Sequence, residues 1–183
     1  MAWFLIPLLI GFACNSASTF TTFFSGKLGG RKGRLVCIVL RDILGIPVWA
    51  IGYAIAVLAG SAYIFTPSLL SRTFAGMLIL VGAASIIAGM ISLRWRAAAP
   101  SINDTLVVSG LYAYIRHPLY SGMLLELIGL FLWVPGLTVL VACLLGMLWT
   151  LGQARLEELD LLHRLPAYRE YMQKVPRFAP KIW

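Results

Sequence analysis

Charge is scarce in this chain. Only 12% of its 183 residues are charged and 60% are apolar, against roughly 25% and roughly 45–50% in ordinary soluble domains. A soluble fold of this size cannot hide that much apolar surface, so the shortage excludes one and points to an integral membrane protein. Acidic residues are scarcer still, seven against 15 basic ones, for a net charge of +8. That excess does not indicate nucleic acid. The lysines and arginines sit in short gaps between apolar runs, where lipid headgroups and membrane orientation account for them. Cysteine and histidine are too few for a metal site. Cys14, Cys37 and Cys143 lie inside apolar stretches, and His117 and His163 have no Cys, Asp or Glu at ligand spacing, so no metal is expected. Internal repeats are missing, which disfavours a transporter, and no serine sits on an elbow beside a placed histidine, which disfavours a nucleophilic triad.

What is present is a series of long apolar runs. No composition shift divides them, so 1–183 reads as a single membrane domain, with three spans over 1–93 and a second region over 94–183. The first span is expected at Trp3–Phe24, with a polar patch from Asn15 to Thr22. It lacks a basic residue before its apolar core and so reads as a retained helix, not a signal peptide. A glycine-rich basic loop is expected over 26–34. The second span is expected at Leu35–Phe65, with Arg41, Asp42 and Pro47 placing its first turns in the interface. The third, Thr73–Leu93, carries Gly76, Gly82, Ala83, Ala84, Ser85, Ala88 and Gly89, and so reads as a close-packing helix. Arg94-Trp95-Arg96 is expected to anchor its end, before a polar loop from Ala97 to Thr105. Pro135-Gly136 divides a hairpin over 119–152 into helices at Leu119–Trp133 and Leu137–Gly152. A separate amphipathic helix follows over Arg155–Arg164, with Leu156, Leu159 and Leu162 on one side, the carboxylates mostly on another, and Asp160 paired to Arg164. Tyr168 and Tyr171 fall in an aqueous tail. The fold expected is all-α, with about five membrane helices. With that count every basic residue except Arg72 falls on one side, which the positive-inside bias assigns to the cytoplasm.

Polar groups concentrate at one helix boundary, Val107 to Tyr120. Gly110 permits a turn or a close approach, and Pro118 disfavours helix at His117. Tyr112, Tyr114, Arg116, His117 and Tyr120 thus gather beside hydrocarbon, on the same face as Glu157, Glu158, Tyr168, Tyr171 and Arg177. An interfacial belt of tyrosine and arginine is the plainer reading. It does not explain Arg-His-Pro directly before one span and Glu-Glu directly after its partner. Glu126, inside the fourth span, is either functional or a partner of Arg41 or of a hydroxyl.

Gly110-x-Tyr112-x-x-x-Arg116-His117-Pro118-x-Tyr120, Glu157-Glu158-x-x-Leu161, Tyr168-x-x-Tyr171 and Arg177-x-x-Pro180, in this order, resemble the isoprenylcysteine carboxyl methyltransferase family. That family lies within a wider group including membrane phospholipid methyltransferases, and the match runs from about residue 104 to the end. The resemblance implies S-adenosylmethionine, leaving as S-adenosylhomocysteine, bound at the cytoplasmic face. Thr105, Leu106, Val107, Gly110, Tyr112, His117, Pro118, Leu119, Tyr120, Glu157, Tyr168 and Tyr171 would form its site. Arg116, His117 and Glu158 would be catalytic, and a prenylated or other amphiphilic acceptor would enter sideways from the bilayer. The family's acceptor-holding arginine falls at Gln153, and Arg155 lies about 200° round the helix from it. A carboxylate acceptor and an amine acceptor therefore both stay open, with Gln153, Arg155 and Glu126 as the candidate acceptor contacts. A non-catalytic membrane scaffold or small transporter is the reading from another class.

Overall fold

The structure is a computed structural model that describes residues 2–94 and 105–181. Trp95, Arg96 and most of the expected polar loop lie outside the described residues. Those described are helical, without a sheet. Helices α1 (Leu5–Ser18), α2 (Thr21–Leu28), α3 (Gly30–Leu58), α4 (Leu69–Leu93), α5 (Pro118–Trp133), α6 (Leu137–Arg164) and α7 (Tyr168–Lys174) follow one another. Three of them, α3, α4 and α6, are long and apolar enough to cross a membrane, four spans result if the bent pair α1–α2 counts as one, and α5 is a shorter apolar helix. The chain is an integral membrane protein.

The first expected span is broken. Its two helices meet at 65°, after Ser18 Oγ donates to the carbonyl of Asn15 at 2.5 Å. Hydroxyls that bond back to the preceding turn bend helices. The expected loop over 26–34 is mostly helix, reduced to a break at Gly29, whose φ of +81° suits glycine. Helix α3 starts earlier than expected and stops at Leu58, not Phe65. Val39–Gly45 within it is a π-helical segment. Pro47 has no N–H to offer the carbonyl four residues back, and its ring crowds that carbonyl, so the wider turn fits just before it.

Close helix packing follows the glycines. Ala75, Gly82 and Gly89 are buried on α4 at sevenfold spacing, facing Gly129, Gly122 and the start of α5. A Cβ at Gly122 would lie 2.5 Å from the Gly82 carbonyl, and one at Gly129 would lie 2.9 Å from that of Ala75. The two helices therefore run antiparallel with their backbones nearly touching. Helices α1 and α3 form a second antiparallel pair, with Gly52 against Leu8 and Gly45 against Asn15. Helix α6 seals both pairs. Phe12 stacks on Trp149 at 4.5 Å, and Tyr53 donates to the Ala142 carbonyl at 3.3 Å.

One helix replaces two at the end of the expected hairpin, because α6 continues unbroken from Leu137 to Arg164. A lone glycine costs about 1 kcal/mol in a helix, and the good helix formers from Gln153 to Glu158 override Gly152. The expected sidedness also fails. Glu158 is fully buried and Leu159 is 43% exposed. The tyrosines placed in an aqueous tail are buried as well.

Candidate functional site

The boundary motif is held by groups distant in sequence. Gly110 sits at φ +62° and opens a single 3-10 turn, Gly110–Ala113, packed on Ser92 at the end of α4. His117 is the residue before α5 and Pro118 is at its first turn, where a missing N–H leaves nothing unpaired. The backbone N–H groups of Arg116 and His117 donate to the carbonyls of Pro176 and Arg177 at 2.9 and 3.0 Å. Ser121 Oγ donates to the Phe178 carbonyl at 2.7 Å. The C-terminal segment is thus strapped across the start of α5.

Glu158 is the centre of this arrangement. Arg177 grips it with two hydrogen bonds, Nε to Oε1 at 3.0 Å and Nη2 to Oε2 at 2.6 Å. Arg116 Nη2 and His117 Nε2 each approach Oε1 at 3.2 Å. A buried carboxylate is tolerable only with partners of this kind. The Glu158 carboxylate in turn holds the Arg177 guanidinium above its ordinary pKa. Glu157, next in sequence, faces elsewhere. It accepts a short hydrogen bond from the Tyr120 hydroxyl and lies 3.9 Å from His117 Nδ1. The His117 ring stacks against Tyr120, with 5.5 Å between centroids.

Beside this clamp is a cavity of about 630 Å³. Thr105, Leu106, Val107, Tyr112, Arg116, His117, Leu119 and Tyr120 line one side, and Glu157, Tyr168 and Tyr171 line another. Glu126 lines it too. Burial pushes the phenols of Tyr112 and Tyr168 up and that of Tyr171 to about 12, so all three stay neutral donors. Tyr171 donates to the Tyr112 carbonyl at 2.5 Å and ties α7 to the motif. Of the other candidates, Gly110, Pro118, Gln153, Arg155 and Glu158 do not line the cavity. Gln153 is 2% exposed and committed to α1, accepting from Ser16 Oγ at 2.8 Å and donating to Thr19 Oγ1 at 2.6 Å. Arg155 stays 57% exposed at 3.9 Å from Glu158. Among the described residues Glu126 makes no pair with Arg41 or a hydroxyl, so that expectation is not met. Arg41 engages Asp42 at 2.8 Å instead.

Sequence reasoning missed the opposite wall. Asn15, Ser18, Thr19, Arg41, Asp42 and Asp160 line the same cavity. Their signal was visible as a polar patch in the first span and an ion pair entering the second, but nothing in one sequence says that these face the motif. Asp160 and Arg164 do pair as expected, at 2.9 Å. Among the described residues no three His, Cys, Asp or Glu side chains come together to hold a metal.

The cavity offers what a large polar cofactor with an adenine ring needs. It has aromatic faces, carboxylates for hydroxyl or ammonium groups, and the charge of Arg116. The residues present therefore fit S-adenosylmethionine.

A family model described as the isoprenylcysteine carboxyl methyltransferase (ICMT) family matches residues 75–163. The chain is 36% identical over 81 residues to the cobalt-zinc-cadmium resistance protein CzcN of Cupriavidus metallidurans, a match covering 44% of this chain and 38% of that protein. It is 37% identical over 91 residues to the protein-S-isoprenylcysteine O-methyltransferase of Xenopus laevis, covering 45% of this chain and 29% of that protein. These matches thus span less than half the length of either curated relative. No solved structure matches.

Proposed function

We propose that the chain is a membrane methyltransferase of the isoprenylcysteine carboxyl methyltransferase family, whose model matches residues 75–163. It uses S-adenosylmethionine and methylates an amphiphilic acceptor drawn from the bilayer, at the cytoplasmic face. The observation that carries this reading is the shared cavity, lined by Thr105 to Tyr120 on one side and by Glu157, Tyr168 and Tyr171 on the other. The clustering of basic residues on the motif's side supports the cytoplasmic orientation.

The bound cofactor supplies a methyl group activated by a sulfonium. Tyr112 and Tyr120 offer ring faces to cationic or adenine groups. Glu157, held by Tyr120, offers a carboxylate to ribose hydroxyls or an ammonium. Arg116 lines the cavity and brings a fixed positive charge to it, suited to an anionic group of the ligand. Glu158 has its oxygens occupied by Arg177, Arg116 and His117, so its role here is to position His117 and the C-terminal strap, and it takes no proton. The walls contribute alignment and exclusion of water, which suffice for transfer to a nucleophile that is already anionic.

The family reading makes the acceptor the α-carboxylate of an isoprenylcysteine-like molecule. A second reading, a lipid amine, is favoured by Gln153, a neutral side chain hydrogen-bonded to Ser16 and Thr19 where the resemblance places an arginine. The test is S-adenosylmethionine binding by the purified protein, followed by methyl transfer to N-acetyl-farnesylcysteine and to phosphatidylethanolamine. Binding with turnover of either acceptor is the expected result. No binding at millimolar cofactor would overturn the enzyme reading. His117→Ala and Glu157→Ala are each expected to weaken cofactor binding by about tenfold, the size of one lost charge-assisted contact, with the folded protein intact in detergent. Normal binding by both would show the site to be misassigned.

A further inference from the structure

A second cavity, of about 410 Å³, lies further along α5 from the motif. Trp49, Met123, Glu126 and Trp149 line it and the larger cavity alike, so the two adjoin along a shared wall. Glu126 follows Leu119 by seven residues on α5. It therefore lies on the same helical face, two turns and about 10 Å further from the motif.

Two groups on this wall are left unpartnered. Among the described residues Glu126 makes no hydrogen bond or ion pair. The indole Nε1 of Trp49 is buried and likewise has no partner. A carboxylate within the hydrocarbon is costly unless a cation or donor meets it, and such residues mark ligand paths. Around it this second cavity is apolar and aromatic, with Phe12 and Tyr53 beside the two tryptophans. Ring faces favour a cation, and the remaining surface suits an alkyl chain. An anionic acceptor would instead meet Glu126 head-on. The residue that the resemblance would make the carboxylate's partner, Gln153, is buried, neutral and hydrogen-bonded to Ser16 and Thr19.

Resting on the methyl-transfer reading, we propose that Glu126 is the counter-ion for the acceptor and that the acceptor is an amphiphilic amine, its alkyl chain in the aromatic cavity. The alkylammonium cedes one proton to the Glu126 carboxylate. The freed nitrogen lone pair forms the N–C bond to the methyl group as the C–S bond breaks, and that electron pair stays on sulfur as a neutral thioether. The product is a methylated ammonium, and the proton on Glu126 passes to water.

The test is competable binding of radiolabelled dodecylamine and dodecanoate to the full-length protein in detergent, without cofactor. Dodecylamine is expected to bind at least about tenfold more tightly, and E126Q to lose that preference, as for removal of one member of a desolvated charge pair. Equal affinities in the unaltered protein, or an undiminished preference in E126Q, would overturn the proposal. A monodisperse elution profile and unaltered helical circular dichroism of E126Q in detergent report that it has folded. Should E126Q fail to fold, the amine-to-acid ratio of the unaltered protein still decides the matter. Selective amine binding without any cofactor binding would sink the methyl-transfer reading and leave this site standing. Cofactor binding without amine selectivity would do the reverse.

Discussion

The two ends of the helix bundle are closed by different chemistry. At the motif end, a fully buried Glu158 is ringed by Arg177, Arg116 and His117, contributed by the C-terminal segment and by the residues before α5. At the other end, where Pro135-Gly136 joins α5 to α6, closure uses neutral groups. Ile64 donates to the Pro135 carbonyl at 2.8 Å and Leu137 to that of Ala62 at 3.1 Å, while Thr138 Oγ1 donates to Ala56 at 2.7 Å and pairs with Ser61 Oγ at 2.9 Å. Neutral hydrogen bonds each contribute about 1 kcal/mol and fail one at a time. A buried charge shared by several partners strands all of them at once when it is itself removed, because each survivor is left unpaired in a low dielectric. The motif end is thus built to hold one arrangement, and the turn end merely to stay closed.

Removing the carboxylate should break this contrast most severely. Glu158→Ala leaves Arg116 and Arg177 without their shared anion, a loss of about 3–5 kcal/mol. A large fall in the melting temperature in detergent is expected, together with loss of S-adenosylmethionine binding. A melting temperature within a degree or two of the unaltered protein would show that the ion cluster is not what closes this end. Arg177→Ala comes next. Its side chain is 35% exposed, and Arg116 and His117 remain on Glu158, so about 1.5–3 kcal/mol is expected, the range for a hydrogen bond to a charged group. The strap should loosen with it. Limited proteolysis after Lys174 is expected to accelerate, and unchanged cleavage would show that the backbone bonds of Arg116 and His117 hold the segment without Arg177.

The same contrast separates what the sequence made legible from what it hid. The turn end was readable, because Pro135-Gly136 between apolar runs is a local signal. So was the start of α5, where Pro118 at the first turn follows a residue that proline keeps out of the helix. The seam of α4 and α5 was half readable. Small residues were evident, but not that Gly82 and Gly89 rather than Gly76 make the closest approaches. The direction of Glu158 was hidden. Helical spacing places the carboxylates away from the leucines, and Arg177, 19 residues later, together with Arg116 and His117 before α5, turns this one inward. The cavity's second wall was hidden for the same reason. Its polar patch and its π-helical segment are in the first third of the chain, outside the region that carries the family match, and one sequence offers no pairing between distant segments.

The smallest effect should come from the turn end, and it sharpens the comparison most. Thr138→Val removes the hydroxyl that donates to the Ala56 carbonyl and pairs with Ser61, while keeping the branched shape. The backbone bonds from Ile64 and Leu137 remain, so about 1 kcal/mol should be lost, typical of a neutral hydrogen bond. That predicts a drop of a few degrees in melting temperature, with S-adenosylmethionine binding unchanged, because the side chain lies at the opposite end of α6 from Glu157. The pair of readouts matters more than either alone. A few degrees lost with full cofactor binding would show the ends to be energetically separate. Loss of cofactor binding by Thr138→Val would show instead that α6 transmits strain along its whole length, and that the motif end depends on the turn end for its geometry.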